Sequence, residues 1–116
     1  MRLTALVYAA GLLWPASGIA QEFPAFVSGN RLLEACTPVQ TPSCYGYVEG
    51  AADAFQSVFS AMHLQQHAMF CLPQGATSRQ LADIAINYLR DHPEQRHNAA
   101  SANVAVALAN AFPCPK

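Results

Sequence analysis

Four cysteines, Cys36, Cys44, Cys71 and Cys114, stand where the chain should enter or leave helices, and all follow an N-terminal stretch laid out like an export signal. An even set of cysteines in an exported chain reads as a disulfide framework. Few helical topologies bring four such positions within bonding distance, so the cysteines restrict the fold more than any other feature.

The export signal is legible residue by residue. Arg2 is the only early charge, Leu3 to Trp14 is an apolar run, and Gly18-Ile19-Ala20 supplies small residues before Gln21. The run is too short to span a bilayer. Residues 1–20 are therefore expected to be a cleaved signal peptide for the Sec route, leaving residues 21–116 as one small periplasmic domain with no membrane segment in its mature form. Loss of Arg2 leaves five Lys and Arg against seven Asp and Glu, a net charge near −2. That balance offers nothing to nucleic acid or to an anionic membrane surface. A hydrophobic fraction of 53% with only 11% charged residues suits a packed globule rather than a disordered chain.

Helical periodicity dominates after a Pro-containing lead-in. Ser28 or Asn30 can cap a short helix through about Cys36, with Leu32, Leu33 and Cys36 on its buried side. Pro38 and Pro42 break it. A second helix is expected from Ser43 or Cys44 to at least Met62, with Tyr47, Val48, Ala51, Ala54, Phe55, Val58, Phe59 and Met62 on one broad face. Gly46 and Gly50 each weaken that helix by about 1 kcal/mol relative to alanine, so a closely approaching neighbour helix is the expected offset. His63 to Phe70 is compatible with helix or loop. Thr77-Ser78-Arg79-Gln80 has the form of a capping box, opening a third helix with Leu81, Ile84, Ala85, Tyr88 and Leu89 as its stripe. His92-Pro93 ends it, and Pro93 is expected to open a fourth helix running to about Ala111, with Ala100, Val104, Ala107, Leu108 and Ala111 inward. The fold class is thus all-α: a small, disulfide-stapled bundle of about four helices.

Helices alternating in direction put Cys36 and Cys44 at one end of such a bundle and Cys71 and Cys114 at the other. Joining Cys44 to Cys71 would require crossing a helix of about 30 Å, whereas a bridge needs Cα atoms within about 7 Å. The expected pairs are Cys36 with Cys44 and Cys71 with Cys114. Loop-closure entropy assigns the short bridge about 2.5 kcal/mol and the long one about 4 kcal/mol.

Candidate chemistry is thin. His63, His67 and Cys71 recur at four-residue steps, as zinc ligands on a continuous helix would, yet Cys71 is expected in a disulfide and no carboxylate lies near to orient the imidazoles. His92, Glu94, Arg96 and His97 gather at a helix start, where capping and dipole effects ordinarily place such residues, and no activated nucleophile accompanies them. The expected role of Arg96 and His97 is a structural corner that ties the fourth helix to its neighbours. Glu49 and Asp53 form a four-step carboxylate pair of the kind common on solvated faces. Phosphate loops and Ser/His/Asp triads are missing from the chain. These features favour a binding module over an enzyme, with no metal and no cofactor.

The words GNRLLEAC, CYGYVEG, CLPQGATSRQL, YLRDHPEQRH and AFPC, in this order from Gly29 to Cys114, together resemble the Rap/Tai family of immunity proteins, which protect bacteria from type VI secretion amidase effectors. The resemblance implies a small helical, disulfide-containing periplasmic protein, often a homodimer. It implies a mechanism of occlusion: the protein binds a cognate peptidoglycan amidase and blocks its active-site cleft. Contacts are expected in the loops, in Thr37 to Ser43, His63 to Phe70 or Leu72 to Ala76, with Gln40, Tyr45, His67 and Gln74 as the candidate partner-binding residues. The competing expectation is a periplasmic acid-stress chaperone, or another non-catalytic binding protein, whose four histidines and seven carboxylates would titrate as it opened.

Overall fold

The computed structural model describes residues 25–38 and 41–116; the leader assigned to residues 1–20, and Gln40, lie outside them. Among the described residues there are four α-helices, α1 (Gly29–Ala35), α2 (Pro42–Ala61), α3 (Ser78–Asp91) and α4 (Ala100–Ala111), with short 3-10 turns at Gln65–His67 and Pro93–Gln95. No strand occurs among the described residues, although Ser28 and Ala99 form an isolated antiparallel bridge. The chain is all-α, as its periodicity predicts.

Each helix start has a local cause. Ser28 caps α1 by accepting from the Arg31 amide at 3.3 Å, and Thr77 and Gln80 form both halves of the capping box at 3.2 and 2.9 Å. Helix α2 begins earlier than the sequence suggests. Pro42 is its first residue, a position where a missing N–H leaves no bond unmade, and Thr41 caps it. The Thr41 hydroxyl also donates to Ala35 O at 2.9 Å, joining the end of α1 to the start of α2 across the Cys36–Cys44 bridge.

The core lies where α2, α3 and α4 pack pairwise, with α1 laid across α3 and α4. Leu32, Val48, Ile86, Leu89, Val104 and Leu108 are fully enclosed, and small residues (Ala52, Ala82, Ala85, Ala100, Ala105) fill the spaces between the helices. Burial of a Leu or Ile side chain stabilises by about 1.5–3 kcal/mol, so these six side chains dominate the packing energy. Both bridges have the expected pairing, Cys36 with Cys44 and Cys71 with Cys114, at Cα separations of 4.8 and 4.9 Å.

Three expectations require correction. The fourth helix starts at Ala100 instead of Pro93, because residues 96–99 are engaged by the lead-in segment: Gly29 N–H donates to Asn98 O, Asn30 N–H to Arg96 O and Ala100 N–H to Val27 O. Carbonyls committed to a distant segment cannot accept the i+4 amides of a helix. Gly46 and Gly50 are exposed, and a Cβ at either would meet nothing within 4 Å, so no helix approaches them. The close approach falls at Gly29, where a Cβ would stand 2.8 Å from Asn103 Nδ2, 2.9 Å from Arg96 O and 2.9 Å from Leu89 Cδ2. Finally, the fully buried residues of α2 all lie between Cys44 and Ala52, and from the second half Phe55 packs against the core. Cys44, Val48 and Ala52 are buried, whereas Ala54, Val58 and Met62, expected inward, are exposed, and Ala111 at the end of α4 is exposed as well.

Candidate partner-binding cleft

The second half of α2 outruns its partners. At the usual rise its 20 residues extend about 30 Å, against about 21 Å for the 14 of α3 and about 18 Å for the 12 of α4. Among the described residues, the segment that follows α2 lies against its last turns. Helix α2 stops at His63, which adopts the left-handed conformation at φ 53°; His63 N–H donates to Ser60 O and Leu64 N–H to Phe59 O, the paired bonds of a Schellman termination. The 3-10 turn at Gln65–His67 then redirects the chain, and residues 68–72 run back beside α2 without forming a helix of their own.

Two anchors hold that returning segment. The Phe70 ring is buried and meets Phe55 edge to face, with centroids 6.3 Å apart and planes at 79°, a favoured aromatic arrangement. Next to it, Cys71 is bonded to Cys114, and its amide donates to Phe112 O at 2.9 Å. Between helix and segment lies a cleft of about 330 Å³, with Phe55, Phe59, Ala68, Met69 and Leu72 as its apolar lining and Gln56, Ser60 and Gln65 supplying polar groups. No ionisable side chain lines it. Met69 within the lining, and Val58 and Met62 on the same half of α2, are exposed, giving apolar surface outside the bundle core. The hollow is thus apolar, with amide and hydroxyl groups along its fringe.

The structure separates the four candidate contact residues. His67 is exposed in the 3-10 turn immediately before the cleft-lining Ala68, and Gln74 is exposed in the turn just beyond Leu72, where Ala76 N–H donates to Pro73 O and Gly75 takes φ 89°. Both are close in sequence to cleft-lining residues, and neither lines the cleft itself. Tyr45 is half-buried against the core in the first turn of α2, at the end of the helix remote from the cleft. Gln40 lies outside the described residues. The lining residues Phe55 and Phe59 are legible in the sequence only as core positions. The signal that marks them otherwise is non-local: α2 is longer than the helices available to cover it.

The other constellations resolve into architecture. Since α2 ends at Ala61 and Cys71 is disulfide-bonded, His63, His67 and Cys71 share no helix face and no thiolate. In the corner after α3, Arg96 does the tying: Nε donates to Leu89 O and Nη2 to Arg90 O at 3.0 Å, a cationic cap on the carbonyl end of that helix. Asn103, nearly enclosed, donates to Gln95 O at 3.1 Å and Ala99 O at 3.2 Å, fixing the start of α4 to the same loop. His92 stacks on Tyr88 at 4.4 Å and its Nδ1 lies 2.9 Å from Glu94 Oε1. That hydrogen bond holds the Glu94 carboxyl below the usual carboxylate value; a backbone hydrogen bond and the charges of His92 and Arg96 act in the same direction. His97 is exposed and takes no part in the cap.

No curated protein and no solved structure matches the chain. A family model described as Rap1a immunity proteins matches residues 28–114, from the cap of α1 through the second bridge. The match covers all four helices and all four cysteines, and the chain belongs to the Rap1a immunity protein family.

Proposed function

We propose that residues 21–116, exported to the periplasm and freed of the leader, bind a cognate peptidoglycan amidase delivered by type VI secretion and block its active-site cleft. The observation that carries this reading is membership of an immunity-protein family over residues 28–114. Two structural features support it. The protein presents exposed apolar surface beside an uncharged cleft, and its ionisable corner, Arg96 with His92 and Glu94, is engaged in helix capping. Occlusion needs a rigid surface and no chemistry from the inhibitor, and two bridges with an enclosed core provide that rigidity.

The contact surface in this reading is the cleft, with Met69 as an apolar anchor and His67 and Gln74 at its edge. Tyr45, in the first turn of α2, belongs to a separate contact region, engaged by a partner that spans the helix. Pairing of two copies belongs to the same reading, and the exposed face of α2 carrying Gly46 and Gly50 is open for it. Sedimentation of the oxidised protein, alone and with the amidase, gives both stoichiometries.

The decisive experiment mixes purified protein with the cognate amidase and follows peptidoglycan cleavage. Loss of cleavage at a stoichiometric ratio is the expected result. Unchanged turnover in the presence of excess protein removes the proposal.

A further inference from the structure

The two disulfides differ in environment. Cys36 and Cys44 have no exposed surface at all, whereas Cys71 is exposed and Cys114 half-buried. Their settings differ as well. The first bridge joins α1 to α2 inside the core cluster, and the second joins two non-helical segments, residues 68–72 and 112–116, outside it. Attack on a disulfide requires a thiolate to reach one sulfur along the S–S direction, so access decides which bond exchanges in the folded protein.

We propose that Cys71–Cys114 is a thiol-exchange site for an external dithiol, which opens one wall of the cleft while Cys36–Cys44 keeps the bundle closed. The thiolate of the dithiol attacks Cys71 Sγ, the sulfur of the more exposed residue. As the mixed disulfide forms, the Cys71–Cys114 bond breaks, and Cys114 leaves as a thiolate and takes a proton from water. The second thiol of the reagent, once deprotonated, attacks its own sulfur in the mixed disulfide. This closes the reagent into a cyclic disulfide and releases Cys71, which is then protonated. Two electrons and, through solvent, two protons pass from the dithiol to the protein.

The geometry limits the consequence to the cleft. Cys71 is itself part of the cleft lining, between Phe70 and Leu72. After exchange the returning segment retains the Phe70 side chain in the core, Leu72 packed against it, the turn bond from Ala68 N–H to Gln65 O and one backbone bond to the C-terminal segment, from Cys71 N–H to Phe112 O. A segment of few contacts outside the helices opens locally at lower cost than the bundle unfolds. The helices and the buried bridge persist, and the cleft loses a covalently fixed edge.

The test uses the oxidised mature protein in native buffer. Dithiothreitol is added, aliquots are alkylated with iodoacetamide over time, and the labelled cysteines are mapped by mass spectrometry while circular dichroism follows helix content. Labels should appear on Cys71 and Cys114 at least about tenfold faster than on Cys36 and Cys44, given the dependence of exchange on access, with the helical signal retained. A parallel arm with reduced glutathione should place the glutathione adduct on Cys71 and the alkyl label on Cys114. Equal labelling of all four cysteines, labelling that begins only as the helical signal is lost, or an adduct on Cys114 in place of Cys71 would overturn the proposal. None of these readouts involves the amidase, so the inference stands or falls apart from the proposed function.

Discussion

Gly29 and Asn103 occupy one space that has no room for another carbon: a Cβ on Gly29 would lie 2.8 Å from Asn103 Nδ2, with Arg96 O and Leu89 Cδ2 each at 2.9 Å. Four elements meet there, the start of α1, the end of α3, the loop that follows it and the first turn of α4. Asn103 is spent on the Gln95 and Ala99 carbonyls, and Arg96 O accepts the Asn30 amide. Neither can retreat without losing a bond. Gly29→Ala should therefore destabilise the protein by about 1–3 kcal/mol, the usual range for overpacking. Gly46→Ala and Gly50→Ala, where a Cβ meets nothing, should each stabilise by up to about 1 kcal/mol through helix propensity. Urea denaturation of the three variants reads both signs, and a neutral Gly29→Ala would contradict the packing.

His63 terminates α2 in a conformation that L-residues resist, at φ 53°. Glycine is the ordinary occupant of that position. His63→Gly should raise stability by about 1 kcal/mol, the left-handed penalty less the added chain entropy of glycine. His63→Val should lower it, because branching at Cβ worsens the same clash. Thermal melts of the pair decide the point, with opposite shifts in Tm expected.

Arg96 closes the carbonyl end of α3 with two donors from one guanidinium, on Leu89 O and Arg90 O. Hydrogen bonds from a charged donor contribute about 1.5–3 kcal/mol each when removed, discounted here because the Arg90 bond is exposed. Arg96→Met, which keeps the stem, should cost about 2 kcal/mol, with the loss estimated from those bonds. Arg96→Lys should recover little, since an ammonium cannot reproduce the planar fork. Chemical denaturation of both variants against wild type gives the two differences.

Local order was the legible part of this fold, and the reason is range. The Thr77–Gln80 capping box, the stop at His92-Pro93 and the bridge pairing each follow from residues close in sequence or from helix length alone. The start of α4 does not: Pro93 and Glu94 satisfy local rules for a helix start, and it is Val27 and the first residues of α1, Gly29 and Asn30, that take up the backbone groups that would have continued it. The cleft was hidden for a related reason. Phe55 and Phe59 carry the same periodicity as Val48, and nothing in that pattern tells an enclosed side chain from one that also lines a cleft. His67 and Gln74 were recognisable as loop residues, but that the segment between them lines a hollow depends on the path of residues 68–72.

The Glu94 carboxyl titrates below its ordinary value of 4.5, chiefly because it accepts a hydrogen bond from His92. A depressed acid contributes stability above its unfolded-state value, and that contribution is lost as pH falls through the lower folded-state value. Glu94→Gln should therefore remove a small part of the acid-side slope of stability just below pH 4.5 and leave the neutral plateau nearly unchanged, as expected for an exposed pair. A carbon-detected NMR titration of the Glu94 side chain checks the direction directly. A midpoint at or above the ordinary value would remove the argument.

Met69 offers the most direct test of the cleft as the contact surface, because it lines the hollow yet remains 42% exposed and so can change without emptying the core. Met69→Glu would place a charge that must be stripped of water if an apolar side chain of the amidase occupies the cleft. Desolvating an unpaired charge at a binding hot spot costs at least about 1.4 kcal/mol, which is tenfold in affinity. Val106→Glu is the matched control: Val106 is similarly exposed at 40%, sits on α4 and does not line the cleft. Titration calorimetry with the cognate effector should show Kd raised at least about tenfold by Met69→Glu and unchanged by Val106→Glu, with both variants retaining wild-type helix content. The same loss for both variants, or for neither, would move the contact surface away from the end of α2 and toward the region of Tyr45.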